Sequence, residues 1–120
     1  MQLSFKKTER LKSRKAIEAL FSEGKSFKKY PVKLFFLPKE DLKNTQVGFA
    51  VPKRLFKSAV DRNRIKRQLR EAYRLQKHVL TDNNGKKFAL LLLYLGKEKP
   101  QYAVIENALN VLLKKLSDEK

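Results

Sequence analysis

The sequence predicts an α+β domain, a sandwich of one sheet against helices, formed as a single unit over residues 1–120. Three observations lead there. Apolar residues recur at helical spacing in two long segments, Ala59–Val79 and Tyr102–Leu116. Around them the period shortens to that of strands, and one run, Phe88–Leu95, is apolar throughout. At 120 residues with 42% hydrophobic content there is material for one core and no reason for a second.

Taken in order, the first element is a short helix around KAIEAL. Ser13 suits its N-cap, Gly24 its far end, and Ile17, Leu20 and Phe21 share a face. From Tyr30 the period changes: Val32, Leu34 and Phe36 alternate with Lys33, Phe35 and Leu37 until Pro38, a strand pattern that allows one or two short strands. The polar stretch Lys39–Thr45 reads as a hairpin turn into QVGFAV. There Val47, Phe49 and Val51 share one face, while Gly48 and Ala50 leave the other nearly flat and open to close packing.

Ala59–Val79 contains neither Pro nor Gly, and Ile65, Leu69, Ala72 and Tyr73 form its apolar stripe, so it is the longest helix. The turn Thr81–Gly85 introduces Phe88–Leu95, whose lack of alternation predicts a central strand covered on both faces. Ile105, Ala108, Leu109, Leu112 and Leu116 make the last segment an amphipathic helix.

Charge is the strongest functional signal. Against 29 Lys and Arg stand 12 Asp and Glu, a net +17. The excess is directed: +6 lies in residues 1–30 and +8 in residues 53–78, with only +1 and +2 in the other two stretches. Such concentration opposes folding by self-repulsion unless a polyanion is bound. The absence of cysteine excludes disulfides, thiolate zinc sites and cysteine nucleophiles. The longest apolar run is less than half of the ~18 to 20 residues needed to cross a bilayer. The basic N-terminus is not followed by an apolar segment, so no membrane or secretory role is expected and a cytoplasmic location is.

On the long helix, Asn63, Lys66, Arg67, Arg70, Arg74 and Lys77 fall within an arc of roughly 100°, away from the apolar stripe. Lys53, Arg54 and Lys57 precede it, and Arg62 and Arg64 flank Asn63. Guanidinium forks match phosphate oxygens in pairs, and Asn both donates and accepts, so the face suits a nucleic-acid backbone. An ordinary solvated helix would interleave acids to make i,i+4 pairs, but only Asp61 and Glu71 occur here. A membrane-surface or calmodulin-target helix would need the apolar stripe that this domain uses for its own core.

Those residues also carry a resemblance. AVDRNRIKRQLREAYR, Ala59–Arg74, resembles the signature of the bacterial ribonuclease P protein subunit, in which an Arg-Asn-Arg helix continues into Ile-Lys-Arg and a further Arg. RLKSRKAIEALFSEGKSF is similar to that family's first helix and first strand, and VGFAVPKR to its strand leading to paired basic residues. The resemblance implies four strands in a mostly antiparallel sheet and three helices, ordered αβββαβα. It further implies a fold similar to one ribosomal-protein domain, with a left-handed strand-helix-strand crossover where general sterics favour the right-handed one.

The same resemblance implies a protein component of ribonuclease P, which removes the 5′ leader from precursor tRNA. Its partners would be a catalytic RNA subunit, which performs the hydrolysis with bound Mg2+, and the precursor tRNA itself. It assigns Lys53, Arg54, Arg62, Asn63, Arg64, Lys66, Arg67, Arg70 and Arg74 to the catalytic RNA. It assigns Ile17, Phe21, Lys33 and Phe35 to a cleft for the single-stranded leader, where core packing is the competing role for Phe21 and Phe35. Three features depart from the family pattern: Ile17, often aromatic there; Pro52, which replaces a small hydroxyl residue and removes a backbone donor; and the loop Leu55–Ser58, which lacks the Gly-Asn turn many members show.

No catalytic residues are expected in the chain itself, and no metal ligands. His78 is the only histidine, Glu40 with Asp41 lies in a turn, and Asp118 with Glu119 lies near the C-terminus, none in a ligand or acid-base constellation. Two other readings share the charge: a ribosomal-protein-like RNA binder without a processing role, and an independent nuclease.

Overall fold

A computed structural model describes residues 10–11, 14–38, 45–80 and 87–118. The elements run α1 (Arg14–Ser22), β1 (Lys25–Lys29), β2 (Val32–Pro38), β3 (Gln46–Ala50), α2 (Ala59–Gln76), β4 (Phe88–Tyr94) and α3 (Tyr102–Ser117), with a 3-10 turn over Lys77–Leu80. This is the αβββαβα order expected. The Ser13 cap and the turns at 39–44 and 81–85 lie outside the described residues.

The sheet order is β1-β2-β4-β3. β4 pairs antiparallel with β2 and parallel with β3, so α2 joins two parallel neighbours. The sequence reading of a β2–β3 hairpin is therefore corrected: β4 stands between them. β4 is apolar at all seven positions and nearly all of it is buried, so it must be covered on both faces and flanked on both edges. The innermost place satisfies that demand, and the chain after β2 crosses it to reach the far edge.

Each face of the sheet meets a different layer. Val32, Leu34, Phe36, Val47, Leu90 and Leu92 point toward α2 and α3, where they join Ile65, Leu69, Leu109 and Leu112 in the main core. Leu91 and Ala89 point the other way and pack with Leu20 of α1 and Leu11. The flat patch at Gly48 is used there: a methyl group on Gly48 would meet Leu91 Cδ1 at 3.3 Å and Leu11 Cβ at 3.6 Å. Gly24 ends α1 by donating its N–H to the carbonyls of Ala19 and Leu20, and a Cβ on it would sit 2.5 Å from the Leu20 oxygen. The turn before β2 contains a cis peptide at Tyr30–Pro31.

β1 is an edge strand of sequence KSFKK. Its one apolar residue, Phe27, stacks on Phe36 with ring centroids 4.9 Å apart, and its lysines face solvent, which discourages further strand pairing.

Candidate nucleic-acid interface

Ser58 starts α2: its hydroxyl accepts from the Asp61 N–H at 3.4 Å, and Asp61 places negative charge at the positive end of the helix dipole. Ile65, Leu69, Ala72 and Tyr73 are buried in the core, which turns the opposite side outward. Asn63, Arg64, Arg67 and Arg70 are exposed, and Lys66 and Lys77 are half-buried. Lys53 and Arg54 are exposed in the turn ahead of the helix. Pro52 gives up a donor but gains a role as acceptor, since its carbonyl takes the N–H groups of Leu55 and Phe56.

Two arginines of the expected set are engaged within the protein. Arg62 donates from Nη1 to the carbonyls of Phe56 (2.7 Å) and Lys57 (2.9 Å), fixing the loop to the helix. Arg74 donates from Nε and Nη2 to the two carboxylate oxygens of Glu71, at 3.1 and 2.5 Å. That hydrogen bond, against a smaller desolvation effect, holds the Glu71 carboxyl below its ordinary value and raises Arg74. The sequence reading judged the acids too few for i,i+4 ion pairs; Glu71 makes one at i,i+3 spacing instead. Asp61 pairs off the helix, with Lys99 at 3.2 Å. The cationic face is thus densest between Asn63 and Arg70.

On the other side of the sheet lies an aromatic cleft. Phe21 of α1 is 55% exposed and meets Phe35 of β2 edge-on, with ring centroids 4.9 Å apart. Lys33 Nζ lies 4.9 Å from the centroid of the Phe35 ring, within range of its negative face. Ile17 is half-buried against the Leu11 and Leu20 cluster, against which Phe35 also packs.

The strand register adds residues that sequence reasoning missed. Lys28 is directly opposite Lys33, and Ser26 opposite Phe35. Lys33 in turn aligns with Leu93, and Leu93 with Ala50. One row on the open face therefore runs Lys28, Lys33, Leu93, Ala50, crossing the sheet in about 14 Å at the usual strand spacing. It leads to the turn that carries Lys53 and Arg54. Only pairing information places Lys28 there, because its sequence neighbours are equally basic.

Among the described residues no group of three or more His, Cys, Asp or Glu comes together, and no helix is long and apolar enough to cross a membrane. His78 is exposed in the 3-10 turn. The arrangement can bind phosphate and stack bases.

A family model described as Ribonuclease P matches residues 5–117. A ribonuclease P protein component from Porphyromonas gingivalis is 34% identical over 108 residues, covering 86% of this chain and 79% of that protein. One from Streptococcus agalactiae is 36% identical over 109 residues, covering 91% and 94%. Among solved structures, the ribonuclease P protein of Thermotoga maritima superposes with a TM-score of 0.75 at 27% identity, over 89% of this chain and 96% of that one.

Proposed function

The chain belongs to the ribonuclease P protein family, and from that membership we propose that it serves as the protein component of the ribonucleoprotein that matures the 5′ end of tRNA. In this reading the α2 face docks on the catalytic RNA and the Phe21–Phe35 cleft takes the single-stranded leader of the precursor. The RNA subunit carries out phosphodiester hydrolysis with Mg2+ held by its own phosphates, and the protein works in the cytoplasm.

The observation that carries this reading is the row Lys28, Lys33, Leu93, Ala50. It connects an aromatic cleft on one side of the molecule to the basic turn at the start of α2. A leader laid along it has its bases over Phe35 and Phe21, its phosphates beside Lys28 and Lys33, and its scissile end near Lys53, Arg54 and Arg64. Both RNAs are polyanions, so a wedge of fixed positive charge between them lowers their mutual repulsion and with it the Mg2+ concentration they need. Arg64, Arg67 and Arg70 grip phosphates of one RNA, and the cleft lysines those of the other.

The test is reconstitution with the catalytic RNA and a leader-bearing precursor at low Mg2+. Cleavage should be faster than with RNA alone, and the gain should shrink when the leader is removed. Equal rates with and without the protein would end this reading. Family membership does not favour a ribosomal-protein-like binder with no processing role; such a binder would compete equally for any structured RNA.

A further inference from the structure

A second cleft opens on the side of the sheet opposite Phe35, between the β1–β2 turn and the loop that links β4 to α3. It has a volume of about 580 Å³ and is lined by Tyr30, Pro31, Tyr94, Lys97, Lys99 and Val104, among others. Its most prominent feature is Tyr30, a 64% exposed ring on an otherwise well-packed domain. The backbone beneath that ring is anchored. Pro31 behind it is buried, and the Pro31 carbonyl accepts the Leu95 N–H at 2.7 Å.

The opposite wall is equally fixed. The Tyr94 hydroxyl donates to the Glu98 carbonyl at 2.7 Å, and Gly96 leaves room for that hydroxyl where any Cβ would collide with it. Lys97 is exposed on this wall, and Lys29 is exposed beside Tyr30. An exposed ring on an anchored backbone, with the ammonium groups of Lys29 and Lys97 beside it against the single carboxylate of Glu98, offers what an unpaired nucleotide needs: a surface to stack on and a counter-charge for its phosphate.

We propose that this cleft takes one unpaired nucleotide of the catalytic RNA, its base stacked on Tyr30 and its phosphate held by Lys97; the proposal rests on the ribonuclease P reading above. The catalytic RNA is favoured over the leader by position. The cleft lies on the α3 side of the sheet, so a leader seated over Phe35 would have to turn around the sheet to enter it. By contrast, Lys99 on the cleft wall is ion-paired to Asp61 in the first turn of α2, so an RNA docked at Asn63 and Arg64 is already beside it.

The experiment titrates full-length protein into the catalytic RNA without substrate and compares wild type, Tyr30→Ala, Tyr30→Phe and Lys97→Ala. Tyr30→Ala should weaken binding about fivefold or more, and Tyr30→Phe, which keeps the ring, should restore it. Lys97→Ala should make the dependence of log affinity on log salt shallower by about 0.7 to 0.9. Chemical probing should show one RNA nucleotide that loses protection in Tyr30→Ala. Unchanged RNA affinity in Tyr30→Ala overturns the proposal, as does a defect seen only with leader-bearing precursor, which would assign the nucleotide to the substrate. Wild-type stimulation of cleavage in the same preparation separates the two levels: its absence sinks the ribonuclease P reading, whereas its presence with an indifferent Tyr30 sinks only the cleft.

Discussion

Lys28 and Lys33 face each other across the β1–β2 ladder, and among the described residues neither makes an ion pair. Like charges in direct cross-strand register disfavour the sheet by a few tenths of a kcal/mol. Replacing Lys28 with Ala should therefore leave thermal stability unchanged or slightly raised. The same substitution should weaken binding of leader-bearing precursor, and the salt slope should fall by about 0.7, the share of one single-strand phosphate contact. A melting curve and a salt titration on one protein sample separate these two effects.

Phe35 has two roles that different substitutions can divide. It is half-buried against Phe21, so Phe35→Ala should lower stability by about 1 to 2 kcal/mol. It should also reduce the preference for precursor over mature tRNA by about fivefold or more if a base stacks there. Phe35→Leu keeps most of the packing and loses the flat ring. Stability close to wild type with the preference still lost is the expected result for Phe35→Leu. A preference unchanged in both variants assigns Phe35 to the core alone.

The basic residues of α2 should divide by what they already touch. Arg64 and Arg67 are exposed, and their replacement by Ala should weaken assembly with the catalytic RNA and raise the Mg2+ needed, at little cost in stability. Arg62 is tied to the carbonyls of Phe56 and Lys57, so Arg62→Ala should lower stability by about 1 to 2 kcal/mol. Its RNA defect should follow from the loosened turn at Lys53 and Arg54. Parallel melting and filter-binding measurements on the three variants check this ordering.

Glu71 is the internal brake on the cationic face. Its carboxyl is held low mainly by the hydrogen bond from Arg74, so it adds stability that is present above its unfolded value and lost as pH falls through the lower folded value. With the side chain 47% exposed, the contribution at neutral pH is about 0.3 to 0.5 kcal/mol. Glu71→Gln should show that small loss at pH 7 and none once both states are protonated in strong acid. The same change removes a negative charge from the cationic face, so binding to the catalytic RNA should tighten at low salt.

Much of this architecture was readable where a pattern repeats along the chain. The stripes of α2 and α3 and the unbroken apolar run of β4 each reported their own burial, and each is buried as expected. The strand β1 has a single apolar residue among lysines and gives no periodic signal; the family resemblance supplied it. The hairpin failed because local turn chemistry carries no information about a strand that arrives forty residues later to stand between the pair. The cationic site was legible as composition and spacing, but not its internal division. Arg62 and Arg64 look alike in one dimension, and only the carbonyls of Phe56 and Lys57 distinguish them. Lys28 required the strand register before it could be placed opposite Lys33.

The position of β4 has a further consequence for how the molecule comes into being. A strand that is internal in the sheet and last of the four in chain order leaves its two neighbours without a shared ladder until it emerges. During synthesis the chain through α2 carries an amphipathic helix whose oily stripe still lacks its partners on β4 and α3. Completion of the sheet at Tyr94 and closure by α3 bury that stripe and leave only the cationic face outward. A chain truncated before Phe88 should be protease-sensitive, because its stripe has nothing to pack against.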